Sequence, residues 1–73
     1  MRYRGNVWRQ GAYVLIDAPV ELSSPDGKHC GRIEAPDPLI FKLGEQVTII
    51  VRSLGTFEAT ISGFDRDSVL FDV

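Results

Sequence analysis

The sequence predicts an all-β fold, a small antiparallel β-barrel of five to seven strands. The main observation is a period of two in residues 44–73, where β-branched and aromatic side chains alternate with polar ones. A second observation is that no helical period of 3.6 residues persists for ten residues anywhere in the chain. The apolar positions predicted to face the interior are Val47, Ile49, Val51, Phe57, Ile61, Val69 and Phe71.

The chain before the meander of residues 44–73 supplies three further extended segments. Ala12–Asp17 is apolar on both faces, so we expect a strand that is covered on both sides. Pro19 interrupts its register and marks an edge or a bulge. His29–Ala35 is the next predicted strand. Residues 39–43 alternate again and predict a short strand or an apolar strap leading into the meander.

Turn residues separate these strands at regular intervals. Ser53–Gly55 is a short hairpin loop that contains glycine, and Asp65–Asp67 is a polar turn. Ser23–Gly27 is the clearest loop, because its proline presets φ and its Asp-Gly pair favours a positive φ. Together they divide the chain into about six short strands, which is typical of a small closed barrel.

Charge is distributed unevenly along the 73 residues, whose net charge is −2. Residues 1–32 hold five Lys/Arg against three Asp/Glu, a balance of +2, whereas residues 33–73 hold three against seven, a balance of −4. Arg2, Arg4 and Arg9 have no acidic neighbour in the first ten residues. We therefore divide the chain into a basic N-terminal arm, residues 1–10, and a barrel domain, residues 11–73. The arm is either solvated and disordered or binds a small anion.

Composition excludes several classes of site. The single cysteine, Cys30, has no partner for an internal disulfide and is expected to be a small apolar filler rather than a nucleophile. No apolar run approaches the ~20 residues of a membrane helix, and no apolar segment follows the first arginines as in a signal peptide. A chain this small, without a disulfide or a structural metal, is also expected to be stabilised by a second copy of itself. We expect a cytoplasmic homodimer.

Catalytic patterns are absent from the sequence. It has no Ser/His/Asp set, no H-E-x-x-H and no phosphate loop, and His29 is its only histidine. Asp65, Asp67 and Asp72 could hold a hard cation, but Arg66 between two of them favours a solvated turn. A binding module is therefore expected rather than an enzyme, with no metal and no cofactor.

The order of these features resembles the PilZ domain, a barrel family that binds cyclic di-GMP. That family carries an arginine-rich segment before the first strand and a later D/N-x-S-x-x-G motif. Here Arg2, Arg4 and Arg9 precede the first clear strand, and Ser24–Gly27 fits the S-x-x-G half. The resemblance covers about residues 11–73 and continues through 31–36, 43–47 and 54–59.

The PilZ resemblance implies a non-catalytic signalling module that senses cyclic di-GMP. Arg4 and Arg9 would pair with phosphates and stack on a guanine face, with Arg2 beside them, and Ser24 and Gly27 would hydrogen-bond the ligand from their loop. Ordering of the arm would then expose or cover the surface for a protein partner that the sequence does not identify.

Departures from the family pattern favour a rival class. Arg4 and Arg9 are five residues apart instead of following R-x-x-x-R, and Leu22 stands at the D/N position. A PilZ-like fold that serves only as a protein-interaction or structural module, without a ligand, would show such departures.

The meander also resembles the first motif of the Sm-like barrels, through Val47–Val51, Gly55 and Phe57. That resemblance implies a ring that binds RNA. Ala59 and Ser68 stand where that family usually has Gly and Asn. The net negative charge argues against a general nucleic-acid binder. RNA binding is therefore an alternative that ranks below the PilZ-like interpretation.

Overall fold

The computed structural model describes residues 2–23 and 30–73 of the chain, and this part forms a closed antiparallel β-barrel. Within the described residues there are six strands and one 3₁₀ helix, Pro38–Ile40. The strands are β1 Arg2–Arg9, β2 Ala12–Ser23, β3 Cys30–Glu34, β4 Gln46–Val51, β5 Gly55–Asp65 and β6 Ser68–Asp72. The predicted all-β class and the predicted number of strands are confirmed.

Around the barrel the strands follow the order β1-β2-β3-β6-β5-β4, and β1 closes the circle by pairing with β4. The last three strands form the predicted meander, with β4 paired to β5 and β5 paired to β6. Two links join strands that are distant in sequence, β3 with β6 and β1 with β4. These two links bring the first half of the chain onto both edges of the meander.

The core is the inner face of all six strands. Six of the seven residues predicted to face inwards are buried, and Phe57 is half-buried while packing against the same cluster. Phe57 and Phe71 lie with ring centroids 6.2 Å apart. The first three strands add their own inner residues, and the segment after β3 adds two more: Val7, Ala18, Val20, Ile33, Ala35 and Phe41.

The prediction of an arm at residues 1–10 differs from the structure, because Arg2–Arg9 is strand β1 of the barrel. It pairs with β2 over most of its length and with β4 from Gly5 to Trp8. Val7 is fully buried, while Arg2 and Arg4 point outwards. Arg2 and Arg4 therefore occupy solvent-facing positions of a strand and are not part of an arm that extends from the barrel.

Strand β2 is longer than predicted, and it is not covered on both sides. Tyr13 is 54% exposed and Ile16 is 72% exposed, so the outer face of this strand meets solvent. Pro19 is tolerated inside the strand because pairing with β3 begins only at Val20.

Between β3 and β4 the chain crosses one end of the barrel. Asp37 caps the 3₁₀ helix by accepting a hydrogen bond from the backbone N–H of Leu39 at 3.2 Å. Of the three alternating apolar residues predicted in this segment, Phe41 is buried, whereas Leu39 and Leu43 are exposed. The segment is therefore a strap with one apolar anchor, and no strand forms there.

Two glycines allow neighbouring strands to approach closely. A Cβ on Gly5 would lie 2.7 Å from the carbonyl oxygen of Ile50, on β4. A Cβ on Gly31 would overlap the carbonyl oxygen of Glu21, on β2. Both positions require glycine for contact between backbones rather than for a turn.

Candidate functional site

A groove of about 860 Å³ crosses the outer faces of β1, β2 and β3, and it reaches the end of β4. It gathers four of the eight basic residues of the chain and three acidic residues. The charged side chains that line it are Arg2, Arg4, Arg32, Arg52, Asp17, Glu21 and Glu34. The groove is therefore locally cationic on a protein whose net charge is −2.

Strand periodicity explains why these charges share one surface. Val20 and Ile33 point into the core, so their neighbours Glu21 and Arg32 point outwards, and these two are direct partners across β2 and β3. On the other side, Arg2 of β1 is the register partner of Glu21. A continuous charged row thus runs across three adjacent strands.

Arg4 stabilises a β-bulge at the edge of the groove. In β2, Ile16 and Asp17 together lie opposite Asn6, and Asp17 adopts a φ of 54°. The Arg4 guanidinium donates to Oδ1 of Asp17 at 3.0 Å and to the carbonyl oxygen of Asp17 at 3.0 Å. The backbone N–H of Asp17 in turn donates to Oδ1 of Asn6 at 2.8 Å. The Arg4 guanidinium therefore makes both of these hydrogen bonds within the protein, to Asp17 of the bulge.

The other three arginines of the groove differ in how strongly they are engaged. Arg2 lies 3.5 Å from a carboxylate oxygen of Glu21, and its side chain is 90% exposed. Arg32 donates to Asp65 at 2.8 Å, towards the end of β5. Among the described residues, Arg52 has no ion pair and no side-chain hydrogen bond. Arg52 is thus the most available cation in the groove.

Arg9 belongs to a different site at the other end of β1. Its Nη1 donates to both carboxylate oxygens of Glu45, at 3.0 and 3.1 Å, and to the carbonyl oxygen of Ile40 at 2.9 Å. The guanidinium carbon lies 5.7 Å from the centroid of the Phe41 ring. These contacts tie β1 to the strap and to the start of β4, so Arg9 fastens one end of the barrel.

The predicted ligand residues are therefore brought together only in part. Arg2 and Arg4 line the groove, but Arg9 does not, because five residues of strand separate it from Arg4 by roughly 16 Å. Ser24 and Gly27 lie outside the described residues. Sequence reasoning missed Arg32 and Arg52.

The alternation of inward-facing and outward-facing residues along a strand is the only sequence signal for the two missed arginines. Arg32 precedes the core residue Ile33, and Arg52 follows the core residue Val51. This alternation alone indicates that both arginines face solvent. Their approach to β1 depends on the strand order of the barrel, which the alternation does not reveal.

Within the described ranges, no group of three or more His, Cys, Asp or Glu side chains is arranged to hold a metal ion. No helix in this part of the chain has the length and apolarity needed to span a membrane. No family model, curated protein or solved structure matches this chain.

Proposed function

We propose that this protein is a non-catalytic binding module whose groove holds a phosphate-bearing nucleotide, with cyclic di-GMP as the ligand to test first. The observation that carries the proposal is the meeting of four arginines in one open groove. Guanidinium groups bind phosphate oxygens in pairs and also stack on flat rings. The PilZ resemblance of the sequence supports the same class of ligand.

The existing ion pairs of the groove determine how available each of its arginines is to an incoming phosphate. A phosphate must compete with any carboxylate that an arginine already holds. Arg52 has no such competitor among the described residues, and the exposed Arg2–Glu21 pair is worth little. Arg4 already donates two hydrogen bonds to Asp17 in the bulge. We therefore assign the first phosphate contacts to Arg52 and Arg2, with Arg4 as a positioning residue.

Calorimetric titration with cyclic di-GMP tests the proposal. A ligand concentration of ~100 μM would reveal any dissociation constant much tighter than millimolar. Hydrogen bonds to a charged group contribute about 1.5–3 kcal/mol, so Arg52→Ala and Arg2→Ala should each weaken binding roughly tenfold or more. Arg66→Ala is the matched control, because Arg66 is exposed and lies outside the groove.

Three results would count against the proposal in different ways. No heat with the unaltered protein would refute nucleotide binding. Binding that survives both groove substitutions would keep the ligand but refute the site. Equal losses in Arg66→Ala and Arg52→Ala would show that only the overall charge matters.

A second candidate is a ligand-free interaction module. Arg4 and Arg9, two of the three arginines first expected to hold phosphate, are engaged in bonds within the protein. Such a module would give no heat with the nucleotide and would instead bind a protein partner. RNA binding, the third class, would be recognised by a steep dependence on salt and by tolerance of many sequences.

Assembly and location stay predictions. We propose a cytoplasmic protein, because its only cysteine favours a reducing compartment. The expected homodimer can be checked by light scattering over a range of protein concentrations. A ring of six or seven copies would favour the Sm-like alternative.

A further inference from the structure

An uncharged face lies beside the arginine groove, on the outside of β2, β1 and β4. Trp8 forms its centre, with Tyr13 as its register partner on β2 and Thr48 as its partner on β4. We call this surface the aromatic face; its residues are Trp8, Tyr13, Thr48, Asn6, Ile16 and Ile50.

The side chains of this face point away from the core. Val7 is fully buried on the inner side of β1, so the adjacent Trp8 faces outwards, where it is 38% exposed. Val47, Ile49 and Val51 are buried on β4, which turns the residues between them outwards. A large aromatic ring is thus displayed on an uncharged surface, where it gains little from the hydrophobic core.

The dimensions of the face limit what can occupy it. Three strands at a spacing of about 4.8 Å and two outward rows about 7 Å apart give a footprint on the order of 100 Å². A stable dimer buries about 800 Å² on each partner. The aromatic face alone is therefore too small for a standard protein interface, and it matches one or two flat rings.

The aromatic face and the groove are continuous. Asn6, Ile16 and Ile50 line the groove as well as the face. Trp8 follows Asn6 by two residues of β1, which is roughly 7 Å. A ligand with a charged end at Arg52 would therefore extend over uncharged surface towards Trp8.

We infer that the aromatic face is the base-binding half of the nucleotide site, with a nucleobase stacked on Trp8 and flanked by Tyr13 while the phosphates lie in the groove. This inference rests on the proposed function and extends it from phosphates to bases. Stacking of a base on an aromatic side chain tolerates different bases, because every base has a π face. The site would thus recognise a nucleotide by combining charge with a flat ring.

Fluorescence of Trp8 tests the inference directly, since it is the only tryptophan in the chain. Cyclic di-GMP should quench its emission along the same saturation curve that calorimetry gives. Inorganic pyrophosphate, a probe without a base, should compete with the nucleotide while leaving the emission unchanged.

Substitutions provide a second measurement. Trp8→Leu should weaken binding of cyclic di-GMP by roughly 5- to 150-fold, the range found when a stacking ring is removed. Trp8→Phe keeps a flat ring and should recover most of the affinity. Phe64→Leu is the matched control, because Phe64 is also 38% exposed and lies outside both surfaces.

The outcomes separate this inference from the proposed function. If the unaltered protein binds cyclic di-GMP while Trp8 emission stays constant and Trp8→Leu binds normally, the base lies elsewhere and only the inference is wrong. If the unaltered protein does not bind, both are wrong. If light scattering shows a dimer that Tyr13→Lys dissociates, the face is a contact between copies and the inference is overturned.

Discussion

Arg9 shows how a residue chosen for its charge can instead have a structural role. Its side chain is 28% exposed and that of Glu45 is 20% exposed, so the pair is only partly screened by solvent. Glu45 also accepts a hydrogen bond from the backbone N–H of Lys42 at 2.7 Å. The Arg9–Glu45 pair therefore holds three separate segments of chain at one end of the barrel.

We predict that Arg9→Ala lowers the free energy of unfolding by about 2 kcal/mol, because it leaves a half-buried carboxylate without its main partner. Urea denaturation followed by circular dichroism measures this change. Arg66→Ala, an exposed site, should stay within about 0.5 kcal/mol of the parent. An Arg9→Ala protein as stable as the parent would mean that the observed contacts contribute nothing net.

Arg4 offers a contrasting residue, since it and Asp17 are more than half exposed. Exposed ion pairs contribute at most about 1 kcal/mol, so Arg4→Ala should cost less stability than Arg9→Ala. Salt should reduce the difference between Arg4→Ala and the parent, because exposed charges are screened. A larger loss for Arg4→Ala than for Arg9→Ala would show that the bulge matters more than burial suggests.

At the scale of the element, Gly31 determines how closely β3 approaches β2. A methyl group there would overlap the backbone oxygen of Glu21, and a backbone atom cannot move aside as a flexible side chain can. Gly31→Ala should therefore destabilise the protein by several kcal/mol, on the order of an overpacked core position. Thermal melting measures the effect.

Gly63→Ala is the control for that substitution, because its added Cβ would meet only side-chain carbons of Leu70, the nearest at 3.4 Å. The change should be within about 1 kcal/mol of the parent. If both variants melt alike, the close approach of β3 to β2 is not the cause of any loss.

The strands differ in how well the sequence predicts them, for a physical reason. β4, β5 and β6 are neighbours in sequence and in space, so alternation and turn residues suffice to predict them. β1 carries Arg, Gly and Asn among its first five residues, and Gly5-Asn6 is typical of a turn. Its strand character comes from pairing with both β2 and β4, and Gly5 is needed for the approach to the backbone of Ile50.

For the molecule as a whole, stability depends on one small core. Ile49 is fully buried, and truncating it to alanine should cost about 2–5 kcal/mol. Phe57 is only half-buried, so Phe57→Ala should cost less than Ile49→Ala. Chemical denaturation of the two variants ranks them, and the reverse order would mean that the inner face of β5 is assigned incorrectly.

The candidate site could be predicted from the sequence only as a class of chemistry. Guanidinium groups near an early strand indicated an anion, and Arg2 and Arg4 do lie in the groove. Arg32 and Arg52 approach them only because the barrel sets β3 and β4 on either side of the β1–β2 pair. Such proximity depends on strand order, which local patterns do not encode.

Closure of the barrel through β1 and β4 also sets a sequence of events during synthesis. The β1–β2 hairpin can form early in synthesis. Its pairing with β4 comes later, because Gly5 pairs with Val51 and most of the chain must leave the ribosome before β4 is available. Until then its edge towards β4 has unpaired backbone groups that can pair with another nascent chain. The two bulges of β2 and the outward arginines of β1 reduce that hazard, because twisted and charged edges pair poorly with other chains.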